Sequence, residues 1–287
     1  MNRKVCLITG ANAGIGKAAS ILIAKKGYEV IIGCRNKERA DKAFIEIKNK
    51  SGSDYIKIVI IDMSSQESIK KAVEIISDQY EKIDVVIHNA ADFYLGRKEP
   101  VYSNENVETI WATNHIGPVV LNNLLMEKLK KSDQGRIITV TSKGLIMYPF
   151  LKINIDDPEF RKKSFSVEKS YYHSKLAQVM YTYWLSKELM ETNITVNCIR
   201  VTNVQVDINR YPNISEKMKK MYEIKRKFSI TPEEMAKTYE YLATSDEVKN
   251  ITGKVFDEKN RIVNTSSYSR NKNNILSLME LTNRFIH

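Results

Sequence analysis

The stretch KSYYHSKLAQ, residues 169–178, sets a phenol and an ammonium four residues apart, at Tyr171 and Lys175. On a helix the two share a face and can interact. A tyrosine titrates near pH ~10, too high for easy proton loss at neutrality. A neighbouring ammonium favours the phenolate and makes the tyrosine a usable general acid or base. Spacing alone does not single out this pair, because Tyr94/Lys98, Tyr148/Lys152, Tyr183/Lys187 and Tyr268/Lys272 repeat it. Tyr148 is followed by Pro149, which breaks a continuing helix. Tyr183 lies out of phase with Tyr171 on the same predicted helix and cannot share its site. Tyr172, next to Tyr171, is expected to point elsewhere and pack.

A second chemical signal stands near the start. The run TGANAGIGKAAS places Gly10, Gly14 and Gly16 directly after an apolar strand and at the head of a helix. Glycines there let the backbone turn tightly and approach a pyrophosphate lying on the helix N-terminus. Asn12 and Ile15, between them, join the candidate cofactor contacts. A triphosphate loop of the Gly-x4-Gly-Lys-Ser/Thr type fails, because Ala11 stands five residues before Gly16 and Ala18 follows Lys17. At the end of the second strand, VIIGCRNKERA carries no carboxylate to hold a ribose hydroxyl. Arg35 stands there, with Lys37 and Lys17 nearby, and a guanidinium suits a 2′-phosphate. NADP(H) is therefore expected over NAD(H).

These groups must be positioned by regular elements. Strand-like runs occur at VCLIT, EVIIGC, YIKIVIID, KIDVVIHNA, GRIITVTS, NITVNCIR and GKVF. Between them the spacing predicts helices over 14–27, 37–50, 65–80, 104–131, 169–190 and 231–244. Repeated strand–helix alternation with nearly continuous apolar strands means an α/β fold, a parallel sheet covered on both faces. No linker divides the chain, so residues 1–287 are expected to form a single domain. Two segments break the rhythm, 145–168 and 205–228. In the second, Ile214, Met218, Met221 and Tyr222 recur at helical spacing among Arg210, Lys217, Lys219, Lys220, Lys225, Arg226 and Lys227. That pattern is open to three readings: a packed helix with a solvated face, a lid over an apolar substrate, or a peripheral membrane contact.

Composition narrows the function classes. Three scattered cysteines and four histidines form no ligand cluster, so no metal is expected. The short lead Met1–Lys4 leaves no room for a signal peptide, and no apolar run spans a bilayer; a cytoplasmic location is expected. The net charge of +11 is spread along the whole chain, which does not mark a nucleic-acid surface.

In order, these motifs resemble the short-chain dehydrogenase/reductase family over nearly the whole chain. The phosphate turn runs from Thr9 to Gly16. Asp62, with Met63 beside it, matches the residue that ends the third strand and contacts adenine. The Asn-Asn-Ala-Gly motif appears as HNAA, where Asn89 and Ala90 fit and His88 and Ala91 depart. Asn114, Ser142, Tyr171 and Lys175 match the family's catalytic positions. The style of TGANAGIGKAA, CRNKERA, TNHIGPVVLNNLL and the insert KINIDDPEF is similar to the retinol dehydrogenase and protochlorophyllide reductase-like subgroup. The resemblance implies a Rossmann-type doubly wound sheet of about seven strands and a carbonyl–alcohol oxidoreductase. Tyr171 would be the general acid/base, Lys175 would also reach the nicotinamide ribose, Ser142 would orient the carbonyl, and Asn114 would hold a water leading from Lys175 to solvent. It implies a fairly apolar small-molecule substrate and leaves a homodimer open. One departure is Val201–Thr202, where the family has Pro-Gly ahead of the nicotinamide. That departure keeps a rival reading in view, a cofactor-binding regulatory or scaffold protein that does not catalyse. Each motif also has a structural reading: Ser142 as a strand-end cap, Asn114 as a backbone partner in a helix kink, Asp62 as a helix cap.

Overall fold

The computed structural model describes residues 3–94, 96–208 and 216–287. Seven parallel strands form one sheet in the order β3-β2-β1-β4-β5-β6-β7. They are β1 (Val5–Thr9), β2 (Glu29–Cys34), β3 (Ile56–Ile60), β4 (Val85–Ile87), β5 (Gly135–Ser142), β6 (Ile194–Val201) and β7 (Lys254–Phe256). The order reverses between β1 and β4, the crevice where a doubly wound sheet binds ligands. Successive strand residues face opposite sides, and both sides are apolar. Leu7, Val86, Ile137 and Val196 lie in one core with α3 (Gln66–Gln79), α5 (Gly117–Lys130) and α6 (Val167–Glu188). Ile8, Ile87, Ile138 and Ile199 lie in the other with α1 (Gly14–Lys25), α2 (Lys37–Ser51) and α8 (Pro232–Thr244). Burial on both faces is why these strands read as continuous β-branched runs.

Local signals place the helix ends. Asn36 caps α2 by accepting from the Arg39 amide, and Ser65 caps α3 through Ser68. Thr231 and Glu234 form a reciprocal capping box on α8, followed by Pro232 at the first helical position.

Three expectations need correction. The helix expected over 104–131 starts at Thr109, because Asn106 adopts a left-handed φ of 59° and turns the chain beforehand. It then runs as α4 (Thr109–Trp111), a π turn (Ala112–Ile116) and α5. The fourth strand is only three residues long. The chain also carries α9 (Ser267–Arg270) and α10 (Lys272–Asn283), which periodicity did not signal. Ile275, Leu278, Met279 and Leu281 of α10 are buried in the core beside α6.

Of the two irregular segments, 145–168 opens in a 3-10 turn (Lys143–Met147) and otherwise lacks regular structure apart from the start of α6. Segment 205–228 contains α7 (Glu216–Arg226). Arg210, Ile214 and the side chains of Lys217 and Met218 lie outside the described residues.

Candidate active site

A cavity of about 860 Å³ opens at the carboxyl ends of the strands. Gly10, Asn12, Gly14, Ile15, Arg35, Asp62, Met63, Asn89, Ala90, Ser142 and Tyr171 all line it. Gly16, Asn114 and Lys175 stand behind its wall.

The glycine turn is built so that nothing but glycine fits. Gly10 has a left-handed φ of 66°, and a Cβ there would lie 2.7 Å from the Ala90 Cα. A Cβ on Gly16 would meet the Asn89 amide and stand 2.8 Å from the Gly10 carbonyl oxygen. The backbone is thus bare and closely packed at the head of α1, which fits a pyrophosphate. Asn89 braces this turn: its Nδ2 donates to the carbonyls of Thr9 and Gly10 at 3.0 and 3.1 Å. The Ala90 amide donates to Thr9 Oγ1 at 3.1 Å. His88, where the family has asparagine, is buried and hydrogen-bonded through Nε2 to Asn122 at 2.8 Å. Burial pushes its imidazole down to about 4, so it is neutral and packs.

One end of the cavity carries Arg35, Arg39 and Lys17. Arg35 is largely exposed, 3.9 Å from Asp62. Arg39 also lines the cavity. Sequence reading passed over Arg39, although it stands one helical turn beyond Arg35 and the Asn36 cap fixes it in the first turn of α2. Lys17 lines the cavity too, but its ammonium is paired with Glu46. Lys37 pairs with Asp41 at 2.9 Å. Arg35 and Arg39 thus stand beside the ion-paired Lys17 at this end of the cavity. Asp62 Oδ1 accepts from the amide and hydroxyl of Ser64 at 2.9 and 2.7 Å, while Ser65 caps α3. Asp62 shapes the turn as well as facing the cavity.

At the other end, Ser142 closes β5 and Tyr171 sits on the first turns of α6. Ser142 Oγ accepts from the Gly144 amide at 3.2 Å, which leaves its own O–H to donate. The Tyr171 ring packs against Phe93, with centroids 4.1 Å apart, and edge-on against Tyr172 at 5.3 Å. Tyr172 lines the cavity as well as packing on Tyr148 at 4.7 Å, contrary to the expectation that it points away. Both rings face the cavity because residues 171 and 172 sit where α6 passes its rim.

Lys175 is buried, and its ammonium stands 5.6 Å from the Tyr171 ring centroid. Its Nζ donates to the Val140 carbonyl at 3.0 Å, and burial pushes it down to about 8. At neutral pH it is still mostly charged. Asn114 lies in the π turn. Its Oδ1 accepts from the Asp92 amide at 2.7 Å, and its Nδ2 donates to the Asp92 carbonyl at 3.2 Å and to Ser174 Oγ at 3.1 Å. Both amide hydrogens are thus engaged. The backbone-partner reading describes the Asn114 side chain, and a water on the way to Lys175 would have to meet an oxygen of this residue, since both side-chain N–H groups are taken. The Val201–Thr202 departure remains ordered. Gln205 donates to the Ile230 carbonyl at 2.9 Å, and Ile230 to the Asn203 carbonyl at 3.0 Å. Among the described residues no cluster could hold a metal ion.

Comparison with known proteins gives the same picture at the level of sequence. Residues 4–151 match the family described as short chain dehydrogenase, and residues 160–270 match that described as enoyl-(acyl carrier protein) reductase. Retinol dehydrogenase 14 of Homo sapiens is 31% identical over 272 residues, covering 90% of this chain and 79% of that protein. Retinol dehydrogenase 13 of Homo sapiens is 29% identical, covering 88% and 76%. A short chain dehydrogenase of Shigella flexneri complexed with NADP superposes with a TM-score of 0.67 at 23% identity, covering 90% of this chain and 98% of that one. An NAD+-bound xylitol dehydrogenase superposes with a TM-score of 0.69 at 21% identity, covering 88% and 96%.

Proposed function

The chain belongs to the short-chain dehydrogenase family, and from that premise we propose that it is an NADP(H)-dependent enzyme interconverting a carbonyl and an alcohol on a fairly apolar small molecule. One observation carries this reading. A glycine-bare phosphate turn, Arg35 and Arg39, and the Ser142–Tyr171 pair all line one cavity. The nicotinamide would supply or accept the hydride. The residues do the rest. Arg35 and Arg39 hold the 2′-phosphate, and the Gly10–Gly16 turn holds the pyrophosphate. Ser142 donates to the carbonyl oxygen and orients it. Tyr171 gives that oxygen a proton in reduction and takes one from the hydroxyl in oxidation. The Lys175 ammonium, close behind the ring, favours the phenolate and contributes the charge that this transfer needs. Among the described residues no helix is long and apolar enough to cross a membrane, and we place the activity in the cytoplasm.

The test is cofactor binding followed by turnover. NADPH is expected to bind at least about tenfold more tightly than NADH, the scale of one charged hydrogen bond. Arg35→Ala should narrow that gap. Tyr171→Phe should keep NADPH binding and lose roughly 10²–10⁴-fold in carbonyl reduction. Equal turnover by Tyr171→Phe and the unaltered protein would remove the catalytic reading. Tight NADPH binding with no turnover by either would support the regulatory or scaffold alternative.

A further inference from the structure

The aromatic contact on Tyr171 belongs to no motif. Phe93 follows the HNAA segment in the loop after β4 and lines the cavity. Its ring lies over that of Tyr171, with centroids 4.1 Å apart and planes at 32°. Tyr172 meets the same ring at 70°, and the Lys175 ammonium stands 5.6 Å from its centroid. The phenol is therefore bounded by an aromatic face, an aromatic edge and a buried cation. Its hydroxyl end is where a substrate must meet it.

Phe93 does not sit there loosely. The residue before it, Asp92, is gripped at both ends by Asn114, whose side chain accepts from the Asp92 amide at 2.7 Å and donates to its carbonyl at 3.2 Å. The Asp92 carboxylate accepts two bonds from Arg97, at 2.9 and 3.0 Å, and one from Thr109 Oγ1 at 2.8 Å. The second Asn114 donor reaches Ser174 Oγ at 3.1 Å, and that hydroxyl donates to the Tyr171 carbonyl at 2.7 Å. One side-chain amide thus ties the loop carrying Phe93 to the helical turn carrying Tyr171. The two rings keep a common register because both backbones answer to the same group.

We propose that Phe93 is a specificity-determining residue of this site: its ring, clamped over Tyr171 through Asp92 and Asn114, forms the wall that limits the width of a carbonyl compound able to reach the phenol hydroxyl. A ring stacked on the phenol, on a loop whose backbone is fixed at the preceding residue, occupies space that a bulky substituent would need, whereas a smaller side chain at 93 leaves that space open. This rests on Tyr171 being the proton donor, and the readouts separate the two ideas.

The first readout is a ratio. Phe93→Ala is compared with the unaltered protein on a slim and a branched ketone, with NADPH binding as the control for folding. The branched-to-slim ratio of kcat/KM should rise at least tenfold, and Phe93→Tyr should restore the original ratio. A merely structural role would lower both substrates together, and an unchanged ratio would overturn the proposal. Turnover by Tyr171→Phe equal to the unaltered protein would sink the proton-donor reading instead. The second readout needs no turnover. Fluorotyrosine placed at 171 is followed by ¹⁹F NMR with NADPH present. A single ring-current-shifted signal is expected in the unaltered protein. It should move in Phe93→Leu and broaden or split in Asn114→Ala. A signal indifferent to both substitutions would show that the clamp does not hold the phenol, and would overturn the proposal whatever the kinetics.

Discussion

The two ends of the cavity are built differently. The glycine end is largely backbone: Gly10, whose amide donates to Gly33 and whose carbonyl accepts from Asn89, and Gly16 packed beside Asn89, at the switch point of the sheet. The other end joins side chains at the edge of the sheet, Ser142 on β5 and Tyr171 on α6, to the 145–168 insert beyond it. The 145–168 insert is held by side-chain contacts: the Ile153 amide to Tyr268 Oη at 3.1 Å, the Asn154 amide to His173 Nε2 at 2.7 Å, the Glu108 amide to Glu159 at 2.8 Å, and Ile153 buried in the core. A parallel sheet can specify a phosphate turn with few side chains, here Asn89 and Thr9. It leaves the recognition of a particular substrate to whatever lies beyond the strand ends.

That contrast can be attacked from the cofactor end first. Gly10→Ala should cost roughly 2–4 kcal/mol and lower Tm by about 10 °C, because a left-handed φ and a close approach to Ala90 are strained together. NADPH binding should be lost with it. Calorimetry with and without NADPH checks both. A variant as stable and as tightly binding as the parent would mean that the cofactor end is softer than the sheet implies.

A smaller effect should appear at the insert as pH falls. Burial lowers His173 from its ordinary value of 6.5 to about 4. The unfolded chain therefore holds the extra proton between those limits and the folded chain does not, so stability is lost as pH drops through that window. Protonation also removes the acceptor that holds Asn154. His173→Gln should shrink the stability difference between pH 7 and pH 5 by about 2 kcal/mol. Proteolysis within 152–165 should speed up at pH 5 in the parent alone. Equal pH sensitivity in both proteins would assign the loss to other groups, such as His88 and His115, which burial also depresses.

The mildest case is Phe150→Ser. Phe150 is 90% exposed, so the change should stay within ~0.5 kcal/mol. A larger loss on thermal denaturation would show that the Phe150 ring covers more of the insert than its exposure suggests.

The same division explains what was legible in the sequence. The sheet was readable because strands buried on both faces must be apolar throughout, as VCLIT and EVIIGC are. The glycine turn was readable because backbone geometry leaves a mark in residue type. Tyr171 was readable only through order along the chain, since four other pairs share its spacing. What escaped depends on contacts between distant residues. Nothing local marks Asn114 as a clamp on Asp92, or predicts that its helix passes through a π turn. Phe93 carries no motif. No local signal marks the bond from Lys175 Nζ to the Val140 carbonyl across a helix–strand contact, which uses one of its three donors. The helices past residue 256 were missed because their short apolar stripes resemble those of any surface segment until α6 is seen beneath them.

Those last helices bear on how the molecule comes to exist. Leu278 and Met279 cover α6, Thr282 bonds His115 in the π turn at 2.8 Å, and Gln66 at the head of α3 takes the carbonyl of Phe285 at 2.7 Å. During synthesis the phosphate turn and its strands can assemble early, from residues already made. The helix bearing Tyr171 keeps an uncovered apolar flank until residues 272–285 have left the ribosome. The face beneath α1 is closed earlier, by α8 at residues 232–244, and the flank of α6 is sealed last, by α10.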